Sequence, residues 1–274
     1  MRSAKAFAPG NLSCIFVIKK GKKPAKSGSL GLGFTVNKGV FATVKKLHNK
    51  NKIYFNNRKI NLPTINSVIK KLTKEKVIVN IKSELPLGSG FGISGASALA
   101  TAYALNKLLN LKKTKKELAM TAHIAEVENG TGLGDVTNQF YGGFLVKYES
   151  SCKFKVKKLP IKNKKIYYKY FSKISTKKII FNGKNKSKIN NSGLKALNKI
   201  KSSNKNLKNL INISKEFSIN SGLLKNKKVI EIINNVEKKN GNASMIMLGN
   251  AVFSDTKFRG SKVLTIKDKG ACLI

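Results

Sequence analysis

Two mixed α+β lobes meeting near residue 150 are the fold this sequence predicts. Three observations predict it. Apolar residues alternate or cluster in strand fashion ahead of residue 85. Ala- and Leu-rich segments with helical character follow between 94 and 129. Beyond about residue 150 the texture changes to short, Lys-punctuated strands and further helices. The chain has 274 residues, of which 41% are hydrophobic. It can therefore bury a substantial core, and its net charge of +43 does not make it a disordered polyelectrolyte.

The elements follow in order. Residues 5–18 and 32–45 read as strands around a Gly/Lys/Ser loop at 19–31, and 53–57 and 77–83 as two more. A helix is expected over 94–110 and a second over 112–129, stopped by Asn129-Gly130. Residues 135–143 read as a short helix ended by two glycines, with Asp135 suited to its N-cap, and 144–149 as a strand. In the second half, 155–171 and 177–182 supply short strands and the polar stretch 182–193 reads as a flexible loop. Helices are expected near 193–202, 205–220 and 226–239. Two strands over 243–255 complete the pattern, turning at Gly249-Asn250. This divides the chain into lobes 1–150 and 151–274.

Several function classes recede on composition. No run of 18 apolar residues suggests a membrane span, and the N-terminus reads as a strand, not a signal peptide. Cys14, Cys152 and Cys272 form no CxxC pair, which disfavours a zinc ribbon or a disulfide framework and suits a reducing cytoplasm. The basic excess would draw polyanions. Yet only Arg2, Arg58 and Arg259 are arginines among 55 basic residues, and arginine is the usual reader of base edges. No specific nucleic-acid partner is expected.

The informative stretch is Leu85-Pro86-Leu87-Gly88-Ser89-Gly90-Phe91-Gly92-Ile93-Ser94-Gly95-Ala96-Ser97. A strand feeds it and a helix leaves it. Glycines let backbone N–H groups approach phosphate oxygens, and the helix N-terminus adds a positive dipole end. No Walker A match exists, while Gly90-x-Gly92-x-x-Gly95 fits the dinucleotide fingerprint without the acid that motif wants on a second strand. A second cluster lies downstream. His123 and Glu126 share a helix face, Glu126 and Glu128 sit in the last turn where the dipole calls for a cation, and Asp135 follows a Gly-rich link. Phosphoryl transfer needs a phosphate cradle, a metal ligand and a group for the hydroxyl proton, and Ser94, Glu126 and Asp135 suit these roles.

These residues resemble the GHMP kinase superfamily, whose phosphate loop reads P-x-G-x-G-L-G-S-S-A-A. Here it stands as Pro86-x-Gly88-x-Gly90-Phe91-Gly92-Ile93-Ser94-Gly95-Ala96. Ala8-Pro9-Gly10 is similar to the family's opening, and Asp135 with Gly142-Gly143 to its D-x₆-G-G. Collinear pieces from residue 7 to 253 are most similar to the archaeal pantoate kinases within it. The resemblance implies a ribosomal-protein-S5-like N-terminal lobe and a ferredoxin-like C-terminal lobe with the site between them. It implies an ATP- and Mg²⁺-dependent kinase that makes 4-phosphopantoate for coenzyme A synthesis. The stretch 86–97 would wrap the ATP phosphates, Ser94 and Glu126 would hold Mg²⁺ (Glu128 remaining an alternative), and Asp135 would accept or orient the hydroxyl proton. Ser29, His123 and Lys147 would face pantoate. Lys147 stands where arginine is more usual, Ile93 replaces a serine, and Asn11 replaces a common histidine. Pantoate and ATP are the expected partners, and the assembly, a homodimer included, stays open. The rivals are another GHMP kinase acting on mevalonate, homoserine or a sugar, a dinucleotide-binding oxidoreductase, and a basic nucleic-acid-binding protein.

Overall fold

The computed structural model describes residues 3–173 and 183–274. Two very long strands, β1 (Ser3–Lys19) and β2 (Gly28–Leu47), pair antiparallel and form the spine of an eight-stranded sheet. β2 serves two partners along its length. Its C-terminal half pairs with β5 (Lys76–Ser83), which takes β3 (Lys52–Phe55) in parallel, and β3 in turn takes β4 (Arg58–Lys59). Its N-terminal half pairs with β6 (Phe144–Lys147), and β6 with β7 (Lys157–Leu159). The parallel β3–β5 link crosses over through α1 (Pro63–Leu72), an amphipathic helix the sequence reading did not anticipate.

β1 carries irregularities between Pro9 and Asn11 and between Ser13 and Ile15. Bulges re-aim side chains, and these two flank the residues that β1 sends into the site. Against the sheet packs α2 (Ile93–Leu109), whose Ala96, Ala98, Ala100, Ala102 and Ala104 are all fully buried. A helix apolar on every side belongs inside, and small side chains let β1, β2 and α3 (Lys115–Asn129) approach it closely. α3 starts at a Thr114–Glu117 capping box and stops at Gly130, in the left-handed conformation. Glu117 is thereby a capping group, leaving no ribose-binding acid for the dinucleotide reading.

The second sheet has four strands in the order β11 (Lys262–Thr265), β8 (Lys165–Ser172), β10 (Asn250–Ser254), β9 (Ala243–Met245), all antiparallel. A β-α-β-β-α-β unit has a helix in each crossover. Here the first carries α5 (Gly183–Ser202), α6 (Leu207–Asn220) and α7 (Lys227–Glu237), and the second is a short loop. The chain also returns to the first sheet after residue 150, through β7 and through β12 (Cys272–Leu273), which pairs with β1.

Two expectations are corrected. The polar stretch near 183–193 is the first half of α5, not a loop. Ile189 is fully buried, worth roughly 1.5–3 kcal/mol, and the Asn190 amide binds both the N–H and the carbonyl of Ile18 at 2.7 and 3.1 Å. In the β9–β10 turn the left-handed residue is Leu248 (φ 64°). Gly249 is needed for a different reason: a Cβ there would lie 2.3 Å from the Ser89 carbonyl oxygen. The strand expected over 177–182 falls outside the described residues.

Candidate active site

The glycine turn folds as its composition requires. Gly88, Gly90 and Gly92 have φ of 76°, 85° and 62°, a region costly for residues with a Cβ. Gly90 packs against the β9–β10 turn, so a segment from the second sheet braces the loop. In α2 the Ala96 N–H donates to the Gly92 carbonyl at 3.0 Å, which leaves the amides of residues 93–95 at the helix start. A cavity is lined there by Gly88, Gly90, Phe91, Gly92, Ile93 and Ser94, with Glu126, Thr131, Asp135 and Ser13 across from them.

Not every residue expected at the nucleotide reaches that cavity. The Ser97 hydroxyl is buried and donates to the Ile93 carbonyl at 2.7 Å, a bond within its own helix. Ser89 and Ala96 are buried too, and Pro86, Gly95 and Ala96 do not line the opening. The Ser89 hydroxyl is buried without a partner. Phe91 turns its ring inward against Tyr168, 5.2 Å between centroids, so its contribution to the cavity is close backbone.

Glu126 is buried at the C-terminal end of α3. Ser94 and Thr131 donate to its Oε1 at 2.6 and 2.5 Å. Burial pushes its carboxyl up to about 7, against those two hydrogen bonds, with the Asp135 charge pushing the same way. Glu128 instead meets Lys71 at the surface, 2.8 Å away. The cavity therefore receives Glu126, not Glu128. Its donors, Ser94 Oγ and the Glu126 carboxylate, are hard oxygens, and no protein cation pairs with Glu126 in the described structure. That set fits a Mg²⁺ ion completed by phosphate oxygens and water.

Asp135 is the first residue of α4 (Asp135–Tyr141), with Gly134 at the N-cap and no side-chain cap bond. The N-cap reading is thus wrong: the carboxylate leaves its own helix for β1. Asn11 Nδ2 and Ser13 Oγ donate to Asp135 Oδ1 at 2.6 and 3.2 Å, and no protein hydrogen bond falls on Oδ2 among the described residues. Burial raises its pKa, and the Lys147 charge and both hydrogen bonds oppose the rise. A second cavity adjoins the first and shares Ser13, Asp135 and Leu248 with it. It is lined by Ser29 and Lys147 and walled by Ile15, Phe16, Leu32 and Leu133.

Lys147 is 4% exposed, the one buried lysine among the described residues. Its ammonium donates to Asn138 Oδ1 at 2.5 Å and to the Gly134 carbonyl at 3.3 Å. Burial lowers it to about 8, with Asp135 opposing. His123 lines neither cavity and is 1% exposed. Its Nε2 bonds the Ser27 carbonyl at 2.9 Å, which makes Nε2 the protonated nitrogen, and burial holds its pKa down. Its ring is thus covered and committed to the backbone, away from both cavities. His123 instead fixes the backbone just ahead of Ser29.

Further residues hold this site, Asn11 among them, which the sequence marks only as a departure from the resemblance. Thr131 grips Glu126; Gln139 Nε2 donates to the Gly92 carbonyl at 2.7 Å, tying α4 to the glycine turn. The Ser151 hydroxyl takes the Ser29 N–H at 3.0 Å and donates to the Leu133 carbonyl. Asn11 and Asn138 are bound to each other at 2.9 Å.

A sequence profile of the GHMP kinases N terminal domain matches residues 61–143. The chain is 38% identical over 258 residues to the pantoate kinase of Methanocaldococcus jannaschii, covering 92% of each. The mevalonate kinase of Thermococcus sibiricus is also 38% identical, but over 101 residues, 35% of this chain and 30% of that one. Among solved structures, a phosphotransferase related to the CoA biosynthesis pathway superposes with a TM-score of 0.87 at 25% identity, covering 99% of this chain and 98% of that one.

Proposed function

The chain belongs to the pantoate kinases of the two-lobed GHMP kinase fold, and from that membership we propose how its residues divide the work. The reaction is ATP-dependent phosphorylation of pantoate to 4-phosphopantoate, a step of coenzyme A synthesis. One observation carries the assignment of roles: Asp135 stands on the partition between two cavities of different chemistry. The one lined by the glycine turn has the backbone, hydroxyl and carboxylate for a nucleotide phosphate tail. The other has an ammonium, a hydroxyl and an apolar wall, which suit a small hydroxy acid with a branched hydrocarbon body.

The glycine turn and the amides at the start of α2 hold the β- and γ-phosphates. Ser94 Oγ and Glu126 would hold Mg²⁺, which when bound neutralises phosphate charge. Lys147 takes the carboxylate of pantoate and Ser29 a neighbouring oxygen, while Ile15, Phe16, Leu32 and Leu133 cover its methyl groups. Asp135 Oδ2, free of protein donors, receives the hydrogen bond of the terminal hydroxyl and its proton as the oxygen attacks phosphorus. The rate comes from alignment and charge placement, with no covalent enzyme intermediate. A cytoplasmic setting belongs to this proposal, and no helix of the described residues is long and apolar enough to cross a membrane.

A coupled ADP-release assay with pantoate, mevalonate and homoserine tests the reading. Pantoate should turn over well and the others barely. Strong turnover of mevalonate with none of pantoate would overturn the acceptor assignment.

A further inference from the structure

Lys147 and Asp135 influence each other's charge, yet no ion pair within 4.0 Å joins them among the described residues. Two buried amides span the gap. Lys147 Nζ donates to Asn138 Oδ1 at 2.5 Å, Asn138 Nδ2 to Asn11 Oδ1 at 2.9 Å, and Asn11 Nδ2 to Asp135 Oδ1 at 2.6 Å. The polarity of this chain is forced. An ammonium can only donate, so Asn138 must present its oxygen to Lys147 and its NH₂ onward. Asn11 must then receive on oxygen and donate from nitrogen, which is the arrangement a carboxylate at the far end requires.

The fold spends several features on this path. Asn11 and Asn138 are essentially without exposure. The two β1 bulges bracket Asn11–Ser13 and present both side chains to Asp135. On β2, a Cβ at Gly33 would lie 2.8 Å from both Asn138 Nδ2 and the Leu12 carbonyl oxygen, so glycine there leaves the Asn138 amide its room beside β1. α4 carries Asp135 and Asn138 one turn apart, so the carboxylate end of the path and the amide that meets Lys147 ride on one element, while Lys147 comes from the end of β6.

We infer that Asn11 and Asn138 are positioning residues for phosphoryl transfer, a one-way hydrogen-bond chain that ties the acceptor-side ammonium to one oxygen of Asp135 and turns the other toward the acceptor hydroxyl. This rests on the reading of Asp135 given above. The two amides touch neither substrate. They fix the carboxylate rotation, and they hold Lys147 where it meets the acceptor, so that an acid bound at the ammonium has its hydroxyl placed at Oδ2. Such chains polarise link by link, so cutting any one link weakens the others.

The test is a cycle of Asn11→Leu, Asn138→Leu and the double variant, with Asn11→His as rescue and Asp135→Asn as reference. Each single variant should lower kcat about 10- to 100-fold, with the KM for ATP within about twofold of the parent. The double variant should be no more than about twofold worse than the poorer single one, because both cut the same chain. Histidine offers a donor on one ring nitrogen and an acceptor on the other, so Asn11→His should recover most of kcat. Losses that multiply in the double variant, or kcat unchanged in the singles, would overturn the inference. Where Asn138→Leu does not bind ATP and so is unfolded, Asn138→Asp replaces it: it keeps an acceptor for Lys147, loses the donor to Asn11, and should show the same kcat loss. If Asp135→Asn retains full turnover, the underlying reading fails. If Asp135→Asn collapses while the asparagine variants turn over normally, only the relay fails.

Discussion

The two carboxylates of the site are held in opposite ways. Glu126 rests on neutral hydroxyls, Ser94 and Thr131, and burial lifts it to about 7. Asp135 rests on the Ser13 hydroxyl and on the Asn11 amide, and the amide leads back through Asn138 to the buried ammonium of Lys147. The first is a carboxylate waiting for a cation from outside; the second has its cation built into the fold. In the proposed division of work, that difference separates the metal ligand from the proton acceptor. A ligand must be electrically incomplete in the free protein, whereas a base must be oriented and keep one oxygen open before substrate arrives.

The contrast is sharpest where each side is cut. Glu126→Gln leaves the hydroxyl donors but no anion, and should raise the Mg²⁺ concentration needed for half-maximal rate by at least about 100-fold, measured by metal titration of turnover. Thr131→Val removes one supporting hydroxyl and should shift the same titration by about tenfold. On the acceptor side, Gly134→Ala places a Cβ 2.3 Å from Ser29 Oγ and 3.4 Å from Lys147 Nζ. It should raise the KM for pantoate about tenfold and leave the KM for ATP unchanged; equal effects on both would mean that the cavities are not separate.

Lys147 gives the pH signature. Its pKa is depressed to about 8 by burial, so it is charged below that pH and neutral above it. kcat/KM for pantoate should therefore fall as pH rises through about 8, approaching tenfold per unit. Lys147→Arg, whose guanidinium does not titrate, should abolish that alkaline limb. The stability sign is opposite in sense: folded Lys147 releases its proton before the unfolded chain does, so its burial penalty is full below pH 8 and relieved above it. The smallest effect belongs to Ser97→Ala, whose hydroxyl serves only the Ile93 carbonyl; kcat and the KM for ATP should stay within about twofold.

What the sequence disclosed follows the same division. Glycines spaced before a helix, and acids scarce enough to stand out, made the turn, Ser94, Glu126 and Asp135 legible. Asn11 and Asn138 were not, since they meet across 127 residues in a chain where asparagine is everywhere. Lys147 was found by resemblance alone; composition hides one buried lysine among many solvated ones. His123 entered through the resemblance as well, and nothing in the sequence says that its ring ends on the Ser27 carbonyl, apart from both cavities. The first half of α5 reads as a loop because its single strong anchor, Ile189, and its strand clamp, Asn190, are tertiary facts.

The most direct measurement is on Asp135→Asn, with MgATP binding, pantoate binding and single-turnover rate recorded on one preparation. The account predicts both ligands bound at near-parent affinity and phosphoryl transfer slowed by about 10²- to 10⁴-fold. Transfer at the parent rate with both ligands bound would contradict it.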